Sequence, residues 1–377
     1  MKVGILSLTL HTNYGGILQA YALQTILERM GNTVIVLDKD RGCHRSALRQ
    51  SLTLGKFLLS KYLFRKDVVY SNPRKKDKER REREQHTQTF IKKNIHRCVV
   101  RNIQPGVFSN VDAIIVGSDQ VWRPKYFKGQ WKTGIEQAFL QFASSYQIKR
   151  IAYAPSFGTE EWEYSEEETG NCAQLLRLFN AVSAREESAV SLCREKLHLS
   201  DVKLALDPTL LLSKEDYIQL VERTQTVKSS GNLLCYILDN SKEKQALVSQ
   251  IARERNLIPF HTNSQIGNPH APQKERIQPP VEQWIRGFID AEFVITDSFH
   301  ACVFSIIFGK PFVVIGNKER GMARYKSLFN QLSLEGHMLF SVQDYDNSLS
   351  YQVVKEAYYR LDQYRNSSMA FLTDALK

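Results

Sequence analysis

The sequence predicts an α/β protein of two Rossmann-like halves in a GT-B-like arrangement, with a basic helical excursion in the first half. Three observations predict it. Apolar strand-type runs alternate with helical patterns from Val3 to Ile315. The rhythm breaks over residues 41–101 and again near 213–231. At 377 residues the chain is too long for one ordinary core, so two domains, 1–213 and 214–377, are expected.

Val3 to Leu8 is a short apolar run that stops at the polar turn His11-Thr12-Asn13-Tyr14-Gly15-Gly16. Leu18, Ala22, Ile26 and Met30 then recur on one helical face, with Gly31 at the expected C-cap. Thr33 to Leu37 follows as a second strand and completes a βαβ unit. The turn is not a GxGxxG fingerprint, so a dinucleotide is only weakly indicated. Gly15 and Gly16 could serve the sharp turn alone, but Asn13 and Tyr14 are unusual choices for a mere connection.

Residues 41–101 read as a helical excursion, apolar positions such as Phe57, Leu58 and Tyr62 being interspersed with Lys and Arg. Lys and Arg outnumber Asp and Glu by 51 to 40 overall, and by 14 to 5 between Lys61 and Arg101. The basicity thus belongs to one surface element. Strand patterns return at Val111–Val116, Arg150–Ala154 and Ala181–Ala184, and each stops at polar, chemically usable residues. The second half repeats the pattern: Leu233–Leu238, a helix over 242–255, Leu257–His261, a helix over 281–291, Phe293–Thr296 and Pro311–Ile315. A helical tail over 354–376 is expected to pack back on the first domain.

The six cysteines are scattered, without a CxxC or a Cys/His cluster, which fits a reduced compartment. No signal-peptide h-region and no run of membrane-span length is present, so a cytoplasmic protein is expected.

The crest Thr296-Asp297-Ser298-Phe299-His300 carries the most chemistry. It lies between a strand and an apolar helix closed by Gly309, at the carboxyl edge where open α/β sheets bind ligands. A helix N-terminus there favours an anion. Asn13, Tyr14, Asp119, Arg185, Ser298 and His300 all stand at strand ends, and Lys318, Arg320 and Arg324 follow the next strand. Arginine forks suit carboxylate or phosphate oxygens, and imidazole titrates near working pH. Together they describe a site for a multiply charged anion, with His300 as proton donor. No carboxylate cage of the Mg²⁺ type stands out, so no metal is expected. Each residue also has a plainer role. His300 alone could be a capping or core histidine, Arg185 could pair with Glu186, Asp119 could cap a helix, and Arg320 with Arg324 could form a solvated face.

With these residues assembled, the chain resembles the polysaccharide pyruvyl transferase family. The resemblance rests on Asn13 to Leu23 (NYGGILQAYAL), Val116 to Trp122 (VGSDQVW), Ser183-Ala184-Arg185-Glu186, Leu206-Asp207-Pro208-Thr209 and Thr296 to His300 (TDSFH), in that order. It implies a GT-B-like fold and transfer of pyruvate from phosphoenolpyruvate, as co-substrate and without a cofactor, to a sugar as a cyclic ketal. Capsular or cell-surface polysaccharide is the implied destination. By resemblance His300 matches the donor-site histidine and Arg185 the first-half arginine facing it. The donor set then comprises Arg185, Ser298, His300, Arg320 and Arg324. Asp119 is the candidate to orient or deprotonate the acceptor, and Asn13, Tyr14, Gly15, Gly16 and Trp122 would bind it. Some members carry Arg-Leu-His where this chain has Ser298-Phe299-His300, and Ala301 stands where glycine is common. Arg320 or Arg324 is the expected substitute for that missing arginine. A lipid-linked acceptor would give the basic segment, residues 52–101, a role at anionic membrane at the inner face.

Two other functions compete. A GT-B glycosyltransferase would need a nucleotide-sugar pocket in the second half, and no acidic ribose contact follows Thr296. A nucleic-acid-binding protein would use residues 61–101, but aromatic interleaving of the stacking kind is missing and the strand-end residues would be left unexplained.

Overall fold

The computed structural model describes residues 1–42, 72–316 and 321–377. Two wholly parallel sheets form the framework. The first has the order β3-β2-β1-β4-β5-β6-β7 and the second β12-β11-β10-β8-β9. The first comprises β1 (Lys2–Leu6), β2 (Thr33–Lys39), β3 (Arg97–Val100), β4 (Ala113–Val116), β5 (Lys149–Ala152), β6 (Ala181–Ala184) and β7 (Lys203–Leu204). The second comprises β8 (Leu233–Tyr236), β9 (Pro259–Phe260), β10 (Phe293–Thr296), β11 (Phe312–Ile315) and β12 (Met338–Leu339). Strands β4, β8, β10 and β11 are buried at every position, as parallel strands covered by helices on both faces must be. That is why they read as unbroken apolar runs in the sequence.

Each sheet reverses direction once. In the first, the chain steps outward from β1 to β2 and β3, then returns to place β4 on the other side of β1. In the second, β9 lies on one side of β8 and β10 on the other. The crevices at the carboxyl ends of β1/β4 and β8/β10 are where open α/β sheets take ligands.

One apolar core runs through both halves. Tyr14, on the helix Tyr14–Arg29, stacks on Trp284 of the second half at 5.3 Å, and its hydroxyl donates to the Pro279 carbonyl at 2.8 Å. The last helix, Lys355–Leu376, reaches back across the same junction. Ser368 Oγ accepts from Leu206 N at 3.0 Å, Arg365 Nε donates to the Leu210 carbonyl at 2.9 Å, and Phe371 meets Tyr153.

The basic segment differs from its expected character. Residues 43–71 lie outside the described residues. The remainder begins with a helix, Pro73–Asn94, capped by Asn72, whose side-chain oxygen accepts from Arg74 N at 3.0 Å. It buries Phe90 and Ile91 against the first half and touches the second, where Gln278 N donates to the Arg83 carbonyl at 2.9 Å. Arg80 and Arg81 pair with Asp77, and Arg41 with Glu84. The expectation of a helix throughout is corrected at Arg97–Val100, which is the edge strand β3, paired with β2. Its short run Cys98-Val99-Val100 is hidden among charges, so composition masked a strand. Among the described residues no helix is long and apolar enough to cross a membrane.

Candidate functional site

A cleft of about 380 Å³ opens where the two carboxyl edges face each other. From the first half come His11, Asn13, Gly15, Asp119 and Gln120; from the second come Asp297, Ser298, Phe299, His300 and Arg324, with Tyr236, Gln278 and Trp284. Most of these residues lie at the two switch points, whereas Gln278 and Trp284 follow β9 and Arg324 follows β11.

The loop after β1 delivers Asn13 as N-cap of the helix Tyr14–Arg29, but its side chain makes no capping bond and is exposed. The loop after β4 holds Asp119 in the left-handed region, φ 56°, and buries it. Helix capping is therefore not its role: the next helix, Pro124–Trp131, has Arg123 at its N-cap. Asp119 Oδ1 instead lies 3.5 Å from Arg185 Nη2.

After β10, the Thr296 hydroxyl donates to the Tyr236 carbonyl at 2.6 Å and accepts from Ser298 N at 3.0 Å, which fixes the crest. Asp297, fully buried, accepts from Leu238 N at 2.7 Å, Asp239 N at 3.0 Å and Lys244 Nζ at 2.7 Å. It braces the β8 and β10 loops against each other. Ser298 is the N-cap of the helix Phe299–Phe308, and it and His300 face the cleft. The first N–H groups of this helix and of Tyr14–Arg29 are the orphan donors expected at helix starts. Gly309 closes the former in the left-handed region, φ 64°.

Behind the cleft wall sits a buried ionic cluster. Arg185 Nη1 donates to Asp207 Oδ2 at 2.8 Å, and Nε lies 3.9 Å from Glu186 Oε2. Burial alone would lower the Arg185 pKa, but Asp207, Asp119 and Glu186 hold it above its usual value. Burial alone would raise Asp207, yet His300, Arg185 and Thr209 hold its carboxyl well below the usual carboxylate range. Arg324 is pushed down, first by burial and then by the nearby Arg185 charge. The Phe299 ring lies against both guanidiniums, 5.1 Å from Arg185 and 5.2 Å from Arg324. Such contacts suit cations that have lost their water. Phe299, one residue after Ser298 in the crest, thus touches two arginines at once.

Among the described residues, the expected site residues divide into three groups. His300, Asp119, Ser298, Arg324, Asn13 and Gly15 line the cleft. Arg185 stands behind the wall, engaged with carboxylates, and Gly16 sits one step back beside Asn13 and Asp119. Tyr14 and Trp122, expected to bind the acceptor, lie away from it: Tyr14 joins the halves, and Trp122 is buried, stacked on Phe139 at 5.0 Å. Both are aromatic rings that the core claimed. Arg320 lies outside the described residues. Sequence reasoning did not single out His11, Asp207, Asp297 or Gln278. His11, Asp207 and Asp297 were within motifs already noticed, but nothing local distinguished their roles. Gln278 Nε2 donates to the Thr12 carbonyl at 3.3 Å, a contact between halves that no local pattern signals.

The fold is shared with solved structures. UDP-GlcNAc 2-epimerase from Neisseria meningitidis bound to UDP-GlcNAc superposes with a TM-score of 0.50 at 13% identity, covering 100% of this chain and 99% of that one. The S. aureus MnaA–UDP co-structure gives 0.50 at 14% identity, over 99% and 97%. At such identity the likeness shows the GT-B-like fold alone. No curated protein matches the sequence. The family described as polysaccharide pyruvyl transferase matches residues 13–319, from the Asn13 cap to beyond the His300 crest, and the chain belongs to that family.

Proposed function

We propose that the cleft transfers the pyruvate unit of phosphoenolpyruvate to a sugar of a capsular or cell-surface polysaccharide precursor, as a cyclic ketal, with release of phosphate. The observation that carries this reading is the convergence of His300, Arg324, Asp119 and two helix N-termini on one cleft between the halves. A small trianion needs fixed positive charge and N–H donors, and its enol carbon needs a proton donor.

In the proposed sequence His300 protonates the methylene carbon, and positive charge develops at the carbon bearing phosphate. One sugar hydroxyl adds to that carbon and passes its proton to Asp119. The carbon–oxygen bond to phosphate breaks, and the neighbouring hydroxyl closes the ketal, its proton passing to His300, which the first step leaves neutral. Arg324, with Arg185 behind Phe299, supplies the field that holds the anion. Arg320 belongs to the same proposed donor set. Asn13, Gly15 and Gly16 are proposed on the acceptor side.

The helix Pro73–Asn94 exposes Arg74, Lys75, Lys76, Lys78, Arg81, Lys92 and Lys93. We place a lipid-linked acceptor at anionic membrane beside this face, at the cytoplasmic side. Co-sedimentation with anionic vesicles that is lost at high salt supports the docking; absence of pelleting at low salt removes it.

The test of the reaction is a thermal-shift comparison followed by turnover. Phosphoenolpyruvate is expected to raise Tm, UDP-sugars to leave it unchanged, and phosphate release to require a sugar diol. A UDP-sugar that stabilises the chain where phosphoenolpyruvate does not would favour a glycosyltransferase.

A further inference from the structure

We propose that Asp207 is the positioning residue that fixes the tautomer and orientation of His300, so that the two halves assemble the proton donor between them. The inference rests on the reading of His300 as that donor. Asp207 caps the short turn Pro208–Leu211 of the first half, whereas His300 stands on the first turn of the helix after β10 in the second.

The carboxylate is buried and its oxygens are unequally engaged. Oδ1 accepts from Thr209 N at 3.1 Å and Thr209 Oγ1 at 2.7 Å. Oδ2 accepts from Gln19 Nε2 at 2.5 Å and Arg185 Nη1 at 2.8 Å, and it lies 3.5 Å from His300 Nε2. That nitrogen is buried and makes no hydrogen bond among the described residues. A small rotation of the ring closes the gap to a hydrogen bond, whose heavy atoms sit near 3 Å. Gly15, on the cleft wall, packs over the ring face at the opposite nitrogen, Nδ1.

A carboxylate facing one imidazole nitrogen selects the tautomer that carries its hydrogen there. With Nε2–H aimed at Asp207, Nδ1 is the atom left to carry the transferable proton. Thr209, Gln19 and Arg185 would satisfy Asp207 without a histidine. They do not account for the aim of a buried Nε2 at the same oxygen.

Histidine-selective ¹⁵N NMR of the full chain reads the tautomer directly, His300 being assigned by the resonance missing in His300→Gln. The expected neutral form has hydrogen on Nε2 and a bare Nδ1; hydrogen on Nδ1 overturns the proposal. This readout needs no substrate, so it stands or falls apart from the pyruvyl-transfer reading. In turnover, Asp207→Asn is expected to lower kcat about 100-fold while KM for phosphoenolpyruvate changes less than about threefold, with Asp207→Glu recovering part of the loss. A wild-type rate in Asp207→Asn beside an inactive His300→Gln overturns the positioning role. Failure of the wild-type chain to turn over phosphoenolpyruvate overturns only the proposed reaction. Should Asp207→Asn not fold, the wild-type tautomer decides.

Discussion

Gly15 and His300 touch across the two halves so closely that a methyl group on Gly15 would lie 2.0 Å from the imidazole Nδ1. Helix propensity alone favours Gly15→Ala, by roughly 1 kcal/mol. Sterics reverse the sign, because the ring is buried and the atom it meets belongs to the other half. Gly15→Ala is expected to lose about 1–3 kcal/mol in chemical denaturation, as overpacking does. Its kcat should fall by a further factor of at least about 10, since the proposed proton donor His300 is displaced. At Gly170, inside the helix Glu166–Leu176 and outside the cleft lining, an added methyl meets nothing within 4 Å, so Gly170→Ala serves as the control. Equal behaviour of the two variants would show that the contact is slack.

The Phe299 ring between Arg185 and Arg324 carries a second prediction. Phe299→Leu keeps an apolar side chain but removes the π faces that both guanidiniums use. With each of the two contacts contributing roughly 0.5–2 kcal/mol, the variant is expected to lose about 1–4 kcal/mol of stability. Arg324 should then sample other positions, raising KM for phosphoenolpyruvate by about 10-fold with a smaller effect on kcat. Phe299→Tyr should stay close to wild type. A KM unchanged in Phe299→Leu would mean that the ring only fills space.

Much of this arrangement could be read from the residues in order. Buried parallel strands announce themselves as apolar runs, and each crest after such a run (Asn13, Asp119, Ser298) reached the cleft as its place at a strand end implied. The strand order could not be read, and it alone makes the ends of β1 with β4, and of β8 with β10, adjacent. Side-chain direction was equally hidden. Tyr14 is next to Asn13 in sequence yet turns into the junction with Trp284, because burial of a large ring outweighs its place beside the cleft. Asp207 lay in a conspicuous motif, but its partners Gln19, Arg185 and His300 come from three distant segments. Long-range polar networks leave no periodic trace.

His11 gives a pH dependence with a definite sign. Burial, aided by the Arg41 charge, lowers its pKa from 6.5 to about 4. Between those values the unfolded chain binds a proton that the folded chain refuses. Stability from this residue is therefore constant above about pH 6.5 and falls as the pH drops toward 4, by at most about 3 kcal/mol. His11→Gln cannot take up that proton in either state. Urea denaturation at pH 7 and pH 5 should show a smaller loss in the variant than in wild type; identical losses would remove His11 as the source.

The last prediction concerns another point at which the halves meet. Gly321 lies in the left-handed region, φ 88°, and an added Cβ would stand 1.8 Å from the Gly158 carbonyl oxygen. Backbone cannot swing aside as a side chain can, so Gly321→Ala combines an unfavourable φ with a clash. The strained conformation alone is worth on the order of 1–2 kcal/mol. Relief requires the Gly158 loop to withdraw, and Gly158 N donates to Glu186 Oε1 at 3.3 Å, beside Arg185. Opening of the halves here should thus reach the ionic cluster behind the cleft. The expected result is a loss of at least about 2 kcal/mol in denaturation together with weaker phosphoenolpyruvate-induced stabilisation. Gly336→Ala, where an added Cβ meets nothing within 4 Å, should leave both readouts unchanged. If Gly321→Ala loses stability but binds phosphoenolpyruvate as wild type does, the contact holds the fold together without shaping the cleft.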